Sequence, residues 1–571
     1  MHKLIGARFP VFLIIFLSVL ITSVSFMSKK KHPEPNYSKN YPTKKLPNIV
    51  LIIADQFRAD ACKREGFPLN TTPFLDSLAK TGTWFNHAYC SSPACVPSRT
   101  SLLTGRFPNA TRVRSNMNII DATYKTDLFQ ILKSAGYSTA LIGKNHTYLK
   151  PSMVDYWKEY SHLGVIKPET DMESQFNNYL RSTHFYMNKN AAPFPAAMQQ
   201  PARIVDDANK WVSTVKTNGS QPFFLYMSFP EPHNPYQVSE PYYSMFPPGS
   251  LPVESAGSEV LPEKGNKWVL QKLMLDMGYP NYEENIPRIR SNYYGMMRLI
   301  DDQVRRLVNY LKEQGILDNT IILFVADHGD FTGEYGLIKK GVDVPECLAR
   351  IPMLWYGPGI VHAKMPSSAA VSNVDILPTI CDITGTQIPE GVQGRSLWPM
   401  LQGKDYPKNE FSSMIVQQGY GGLYFTDLDE YNPYSDDGTL VHGQQVFDEL
   451  NTWSQSGMMR MIRKGDWKLV YDMQGNGQLY DLKKDPSEIK NLFGNTGFAS
   501  RQMELLQDLL AWELRLQDPL PLPHPNNTRR YGYKRDPHNY WAPYQKQPQL
   551  KLKKNLALDD SLIKANRQQK K

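Results

Sequence analysis

A cysteine stands at position 95, in the run Cys95-Val96-Pro97-Ser98-Arg99-Thr100-Ser101-Leu102-Leu103-Thr104-Gly105-Arg106. A thiol there is a nucleophile or the precursor of one. Pro97 suits the first turn of a helix, where a missing N–H costs nothing. Leu102 and Leu103 are then expected to face a core, and Gly105 to end the helix. This puts Cys95 at a helix N-terminus, where free N–H groups and the helix dipole favour an anion. Arg99 follows one helical turn later, so the two side chains can meet. Asp55 and Asp327 each close a long apolar run. Paired carboxylates of this kind suit a hard cation, which takes oxygen ligands. Lys144 and His146 alternate along an expected extended segment and so should share a face. His233 lies between prolines that stiffen its loop.

A sheet must position these groups. Ile49 to Ala54 ends at Asp55, and Thr139 to Gly143 ends at Lys144. Phe223 to Phe229 leads through Pro230-Glu231-Pro232 to His233, and Ile321 to Ala326 ends at Asp327-His328-Gly329. Near-continuous apolar runs suit strands buried on both faces of an α/β sheet. Helical stretches separate them, at Thr72 to Thr81, Leu128 to Ala135 and Tyr293 to Gln314. In such sheets functional groups gather at the carboxyl ends of the strands. Here four runs each deliver a polar or charged side chain to that end.

The Cys95 run resembles the signature of the formylglycine-dependent sulfatases, Cys-x-Pro-Ser-Arg followed by Leu-Thr-Gly-Arg. That family lies in the alkaline phosphatase superfamily. The resemblance spans roughly residues 47 to 495, with six motif islands in order. It implies that Cys95 is oxidised by a formylglycine-generating enzyme to formylglycine (3-oxoalanine), whose hydrate attacks the sulfur of a sulfate ester. It implies a metal site of Asp55, Gln56, Asp327, His328 and the modified Cys95, holding Ca²⁺, with Mn²⁺ or Mg²⁺ as alternatives. Many sulfatases carry Asp-Asp and Asp-Asn where this chain has Asp55-Gln56 and Asp327-His328. The combination looks more like choline sulfatase and the phosphonate monoester hydrolases. By the same resemblance, Arg99 holds the formylglycine hydrate and Lys144 neutralises sulfate oxygens. His146 contacts a formylglycine hydroxyl and takes its proton. His233 is the general acid together with Lys340, and Lys339 replaces Lys340 if the register slips by one. Tyr335 stands where the family usually has His.

The implied fold is α/β: a large mixed, mostly parallel sheet sandwiched by helices, plus a small C-terminal α+β subdomain with a short antiparallel sheet. Trp467 to Tyr471 and Gln478 to Leu482 read as its strands, and Asp485-Pro486-Ser487-Glu488 as the start of a helix. Residues 47–404 form the expected catalytic domain and 405–518 the subdomain. Residues 234 to 290, rich in Pro, Tyr and Gly, suit a long insertion or substrate loop.

A length of 571 residues and a mean hydropathy of -0.46 describe a globular chain with a large core. Residues 11 to 26 break the pattern. This apolar run follows Lys3 and Arg8 and ends near Ser23-Val24-Ser25. It reads as a secretory signal peptide over residues 1–26, with an uncleaved membrane anchor over residues 9–27 as the alternative. Either way the catalytic part is exported, to the periplasm or the exterior. Residues 27–46 read as a linker and 519–571 as a Pro-rich basic tail. The chain's net charge of +9 comes from these two ends, which more than offset a body near −7. Residues 529 to 571 carry twelve Lys/Arg against three Asp, and residues 1 to 45 eight against one Glu. The excess is therefore no sign of nucleic-acid binding, and no such motif is present. Setting Cys95 aside leaves Cys62, Cys90, Cys347 and Cys381, enough for two disulfides or none.

The expected function is an exported sulfatase acting on a sulfated carbohydrate or polysaccharide. A phosphodiesterase or phosphonate monoester hydrolase on the same scaffold is the alternative, prompted by Gln56 and His328. A non-catalytic glycan-binding relative is the third reading, opposed by the intact Cys95, Arg99, Lys144, His146, His233 and Lys340.

Overall fold

The computed structural model describes residues 46–124, 126–218, 221–279, 281–341, 343–361, 369–421 and 457–517. The expected signal or anchor, nearly all of the linker and the basic tail lie outside these residues. Among the described residues no helix is long and apolar enough to cross a membrane.

In chain order the strands are β1 (Asn48–Asp55), β2 (Thr83–Trp84), β3 (Ala88–Tyr89), β4 (Ser138–Lys144), β5 (Tyr156–Ser161), β6 (Gly164–Val165) and β7 (Phe223–Pro232). They continue with β8 (Thr320–Ala326), β9 (Met353–Tyr356), β10 (Val371–Ser372), β11 (Ser413–Gln418), β12 (Met459–Lys464), β13 (Trp467–Asp472) and β14 (Gly477–Asp481). The large sheet runs β2-β9-β8-β1-β7-β4-β5-β6. Its centre, β8-β1-β7-β4-β5, is parallel, and its margins are antiparallel. The four apolar runs are thus adjacent strands. Every residue of β1, β7 and β8 is buried, as expected of strands covered on both faces. Each aliphatic side chain so buried contributes about 1.5–3 kcal/mol.

Two local features aim the strand ends. The β1–β7 register shifts after Ala54, so that Asp55 pairs with Pro232. This irregularity brings the His233 loop beside Asp55, the re-aiming role that bulges serve near functional sites. Gly143 has φ +109, and a Cβ there would collide with the Ser228 carbonyl of β7. Only glycine allows β4 to press against β7 just before Lys144.

The helices Gln200–Asn218 and Tyr282–Glu313 pack on each other and on β7. The helix Cys95–Thr104 packs against Leu128–Ser134 and Ile376–Thr384. The Tyr282–Glu313 helix starts eleven residues before the expected Tyr293. Pro287, the sixth residue of this helix, lies inside it and leaves the Glu283 carbonyl without its ladder bond. Residues 234 to 290 are accordingly not one long loop. They include helices Leu261–Lys264 and Asn266–Gly278.

A four-stranded antiparallel sheet, β11-β12-β13-β14, forms the small C-terminal layer. The helix Ala499–Leu516 covers it with Leu505, Leu509, Trp512 and Leu516, spaced as one helical face. The expected helix at Asp485–Glu488 is absent. The Asp485 carboxylate instead accepts from the Ile489 and Lys490 N–H groups, and Glu488 has φ +54. A left-handed Glu488 cannot continue a helix. Its buried carboxylate lies 2.6 Å from Lys468 Nζ, which holds the turn.

Candidate active site

Cys95 is the first residue of its helix, after an extended Ala94, and Gly105 with φ +64 ends that helix. Leu102 and Leu103 are fully buried. The helix start is tied down on two sides. The Val96 N–H donates to Asn116 Oδ1 at 3.0 Å, and Ser98 Oγ donates to the Asp327 carbonyl at 2.6 Å. The Cys95 Sγ then lies 3.2 Å from His328 Nε2 and 3.6 Å from Asp55 Oδ1.

Asp55, Cys95, Asp327 and His328 are all buried, and one ligand atom of each lies within 4.8 Å of the others. The His328 Nδ1 is 2.9 Å from the Gly329 carbonyl. A carbonyl only accepts, so Nδ1 carries a proton and Nε2 faces the cluster, where the Asp327 charge overcomes burial and raises the imidazole above its ordinary range. Loss of the Nε2 proton leaves a lone pair for a cation. Two carboxylates and one imidazole lone pair fit a divalent cation, and the backbone carbonyl gives His328 the outer support that metal-bound histidines usually have. Gly329 is required beside it, because a Cβ would strike the Cys347 carbonyl.

Arg99 is fully buried. Its guanidinium bridges the carboxylates, with Nε 2.7 Å from Asp327 Oδ2 and Nη2 3.2 Å from Asp55 Oδ2. Ser228 Oγ accepts a third bond from Nη1 at 2.8 Å. Lys144 Nζ adds an ion pair with Asp55. Burial and the Asp327 charge both oppose ionisation of Asp55, yet Lys144 and Arg99 outweigh them and hold its carboxyl down at about 2. Asp327 is held lower still, burial being overcome by Arg99, His328 and Lys144.

His146 joins this group by a different route from simple alternation. β4 stops at Lys144, and His146 turns in with φ +47. Its buried Nδ1 has no hydrogen-bond partner among the described residues. Gln56, with φ +61, also turns inward. Its Nε2 donates to Asp330 Oδ2 at 2.6 Å, and its Oε1 accepts from Lys340. Asp330 thereby sets which end of the Gln56 amide faces the site.

His233 Nε2 is 2.8 Å from Lys340 Nζ, and its Nδ1 is 2.7 Å from the Asn234 carbonyl. Lys339 takes another direction: its Nζ donates to Tyr279 Oη at 2.7 Å. The structure therefore brings together Asp55, Gln56, Cys95, Arg99, Lys144, His146, His233, Asp327, His328 and Lys340, and leaves Lys339 outside.

One histidine of the cluster has no counterpart in the sequence reading. His162, in the turn between β5 and β6, stacks on His233 with ring centroids 3.7 Å apart, and lies 6.4 Å from His146. It sits in a stretch with no motif, so no local signal marks it. Asp330, three residues after Asp327, had only its nearness to a motif. Burial pulls His146, His162 and His233 well below the ordinary histidine range, and the nearby Lys144 and Lys340 charges add to this. Three neutral imidazoles thus stand near the Lys144 and Lys340 ammonium groups. All five cysteines are free thiols, so the structure holds no disulfide.

The sequence model of the family described as Sulfatase matches residues 47–386. The arylsulfatase of Clostridium perfringens is 27% identical over 500 residues, covering 82% of this chain and 94% of that protein. The choline-sulfatase of Rhizobium meliloti is 28% identical over 485 residues, covering 79% and 83%. The N-acetylglucosamine-6-O-sulfatase of Bacteroides thetaiotaomicron is 26% identical over 529 residues, covering 83% and 87%. Among solved structures, the phosphonate monoester hydrolase of Agrobacterium radiobacter superposes with a TM-score of 0.63 at 23% identity, covering 82% of this chain and 96% of that one.

Proposed function

The chain belongs to the sulfatase family of sulfuric ester hydrolases, and on that premise we propose that it is an exported enzyme that removes sulfate from a sulfated carbohydrate. The observation that carries this reading is the Cys95 Sγ at a helix start, facing Asp55 and His328 with the Arg99 guanidinium behind them. Cys95 is read as the precursor of formylglycine, whose hydrated aldehyde would supply the nucleophile at sulfur. Asp55, Asp327 and His328, with Gln56 at the rim, would hold a divalent cation, Ca²⁺ first and Mn²⁺ or Mg²⁺ as alternatives. Such an ion would neutralise sulfuryl oxygens.

The remaining work falls to the chain's own side chains. Arg99 keeps both carboxylates ionised and in place. Lys144, ion-paired with Asp55, would neutralise a sulfate oxygen. His146, neutral and with no Nδ1 partner among the described residues, would take the proton of the formylglycine hydroxyl when sulfate is expelled. Lys340 and His233 form the pair that meets the departing alcohol. Export is supported by the N-terminal apolar run, and the carbohydrate substrate by the N-acetylglucosamine-6-O-sulfatase relative.

A second reading is favoured by Gln56, which lowers the negative charge at the metal compared with Asp, and by His328, which offers a softer nitrogen donor than Asn. It makes the chain a phosphonate monoester hydrolase or phosphodiesterase. The ratio of kcat/KM for an aryl sulfate to that for an aryl phosphonate separates the two. A panel of sulfated oligosaccharides then tests the substrate class. Preference for the phosphonate, or no desulfation on the panel, would overturn the first reading.

A further inference from the structure

We propose that His162 is a positioning residue for His233, holding the imidazole that meets the departing alcohol. The inference rests on the reading above for the role of His233, and on geometry for the rest. Three contacts constrain the His233 ring. The Asn234 carbonyl, 2.7 Å from Nδ1, fixes the tautomer. Lys340 Nζ, 2.8 Å from Nε2, fixes the reacting edge. His162 covers a ring face at 3.7 Å between centroids and 21° between planes.

The third contact matters because the outer histidine torsion is broad and roughly two-fold. A hydrogen bond at each nitrogen leaves the ring free to rock about the line joining them. A ring packed on its face removes that motion. Phe185 closes the group from the side, 5.4 Å from His162 and 5.5 Å from His233. Its carbonyl accepts from Asn234 Nδ2 at 2.7 Å, which ties the two loops together. His162 meets His233 through its ring face, and its buried Nδ1 has no hydrogen-bond partner among the described residues. Lys340 Nζ, held by the neutral Nε2 of this ring, carries the proton for the alcohol, so a small angular error in the ring misplaces the donor, and catalysis depends on near-attack geometry.

A leaving-group series reads this role directly. Aryl sulfates of rising phenol pKa, ending in an alkyl sulfate, need increasing proton assistance. For His162→Ala we expect a fall in kcat of roughly 100-fold on the alkyl sulfate and about threefold or less on 4-nitrophenyl sulfate, with KM little changed. His162→Phe, which keeps an aromatic face, should recover most of the loss. His162→Ala combined with His233→Ala should be no slower than His233→Ala alone. If His162→Ala does not fold, His162→Leu replaces it, keeping bulk without a ring. A uniform loss across the series, no loss at any member, or a His162→Phe variant as poor as the ringless one would overturn the proposal. If the unaltered chain prefers phosphonates, the sulfatase reading falls, and the same series in aryl phosphonates still tests His162.

Discussion

Arg99 Nε lies 2.7 Å from Asp327 Oδ2, joining the first helical turn after Cys95 to the end of β8. Its Nη2 reaches Asp55 at the end of β1. One guanidinium thus offsets two buried carboxylates that would otherwise repel. Arg99→Gln removes the charge and leaves both carboxylates facing each other. The expected cost is about 3–5 kcal/mol of folding stability, read from urea unfolding. A variant as stable as the parent would contradict the bridging role.

Lys340 and Lys339 are neighbours in sequence with separate contacts. Lys340 contacts His233 and Gln56, while Lys339 contacts Tyr279. Lys340→Ala should lower kcat by roughly 100-fold or more, with Lys339→Ala acting mainly through stability. Steady-state kinetics on an alkyl sulfate decides, and equal kcat losses would count against the assignment.

Glu231 gives a pH signature. Burial pushes its carboxyl from the ordinary 4.5 up to about 8, with the nearby Gln200 side chain only partly offsetting this. A raised acid binds its proton more tightly in the folded chain. Its contribution is fully present below pH 4.5 and is lost as pH rises towards 8. The loss runs at about 1.4 kcal/mol per pH unit at most. Glu231→Gln lacks this titration. Its Tm relative to the parent should therefore rise across that window and level off above it. A constant Tm difference from pH 5 to 9 would show that Glu231 does not titrate this way.

Chelation offers a test of the Asp55, Asp327 and His328 cluster that needs no turnover. EDTA treatment should lower Tm, and added Ca²⁺ or Mn²⁺ should restore it by mass action. Asp327→Asn should lose most of that ion-dependent shift. An Asp327→Asn variant with the full shift would place the ion elsewhere.

Peptide mass spectrometry of active material should find position 95 as an aldehyde or its hydrate. Cys95→Ala should retain the fold and lose esterase activity. Active protein carrying only the free thiol would exclude the formylglycine route.

The apolar runs ending at Asp55, Lys144 and Asp327 were legible in the sequence, because a strand buried on both faces needs an unbroken apolar run. The Cys95 helix was legible for a similar reason: Pro97 and Gly105 encode its start and end locally. The start of the Tyr282–Glu313 helix was not, since the burial of its first turns outweighs Pro287. Nor was the turn at Asp485, where the carboxylate bonds to N–H groups four and five residues on instead of starting a helix.

The sequence by itself determined the strands and the polar side chains at their ends, since both follow from residue type and spacing within short windows. The tertiary structure alone decided which groups meet. It chose Lys340 over Lys339, gave Asp330 control of the Gln56 amide and laid His162 on His233. The reason is physical. These contacts join segments tens to hundreds of residues apart, and their geometry is fixed by sheet order and by the register shift beside Asp55. No local pattern encodes such a meeting.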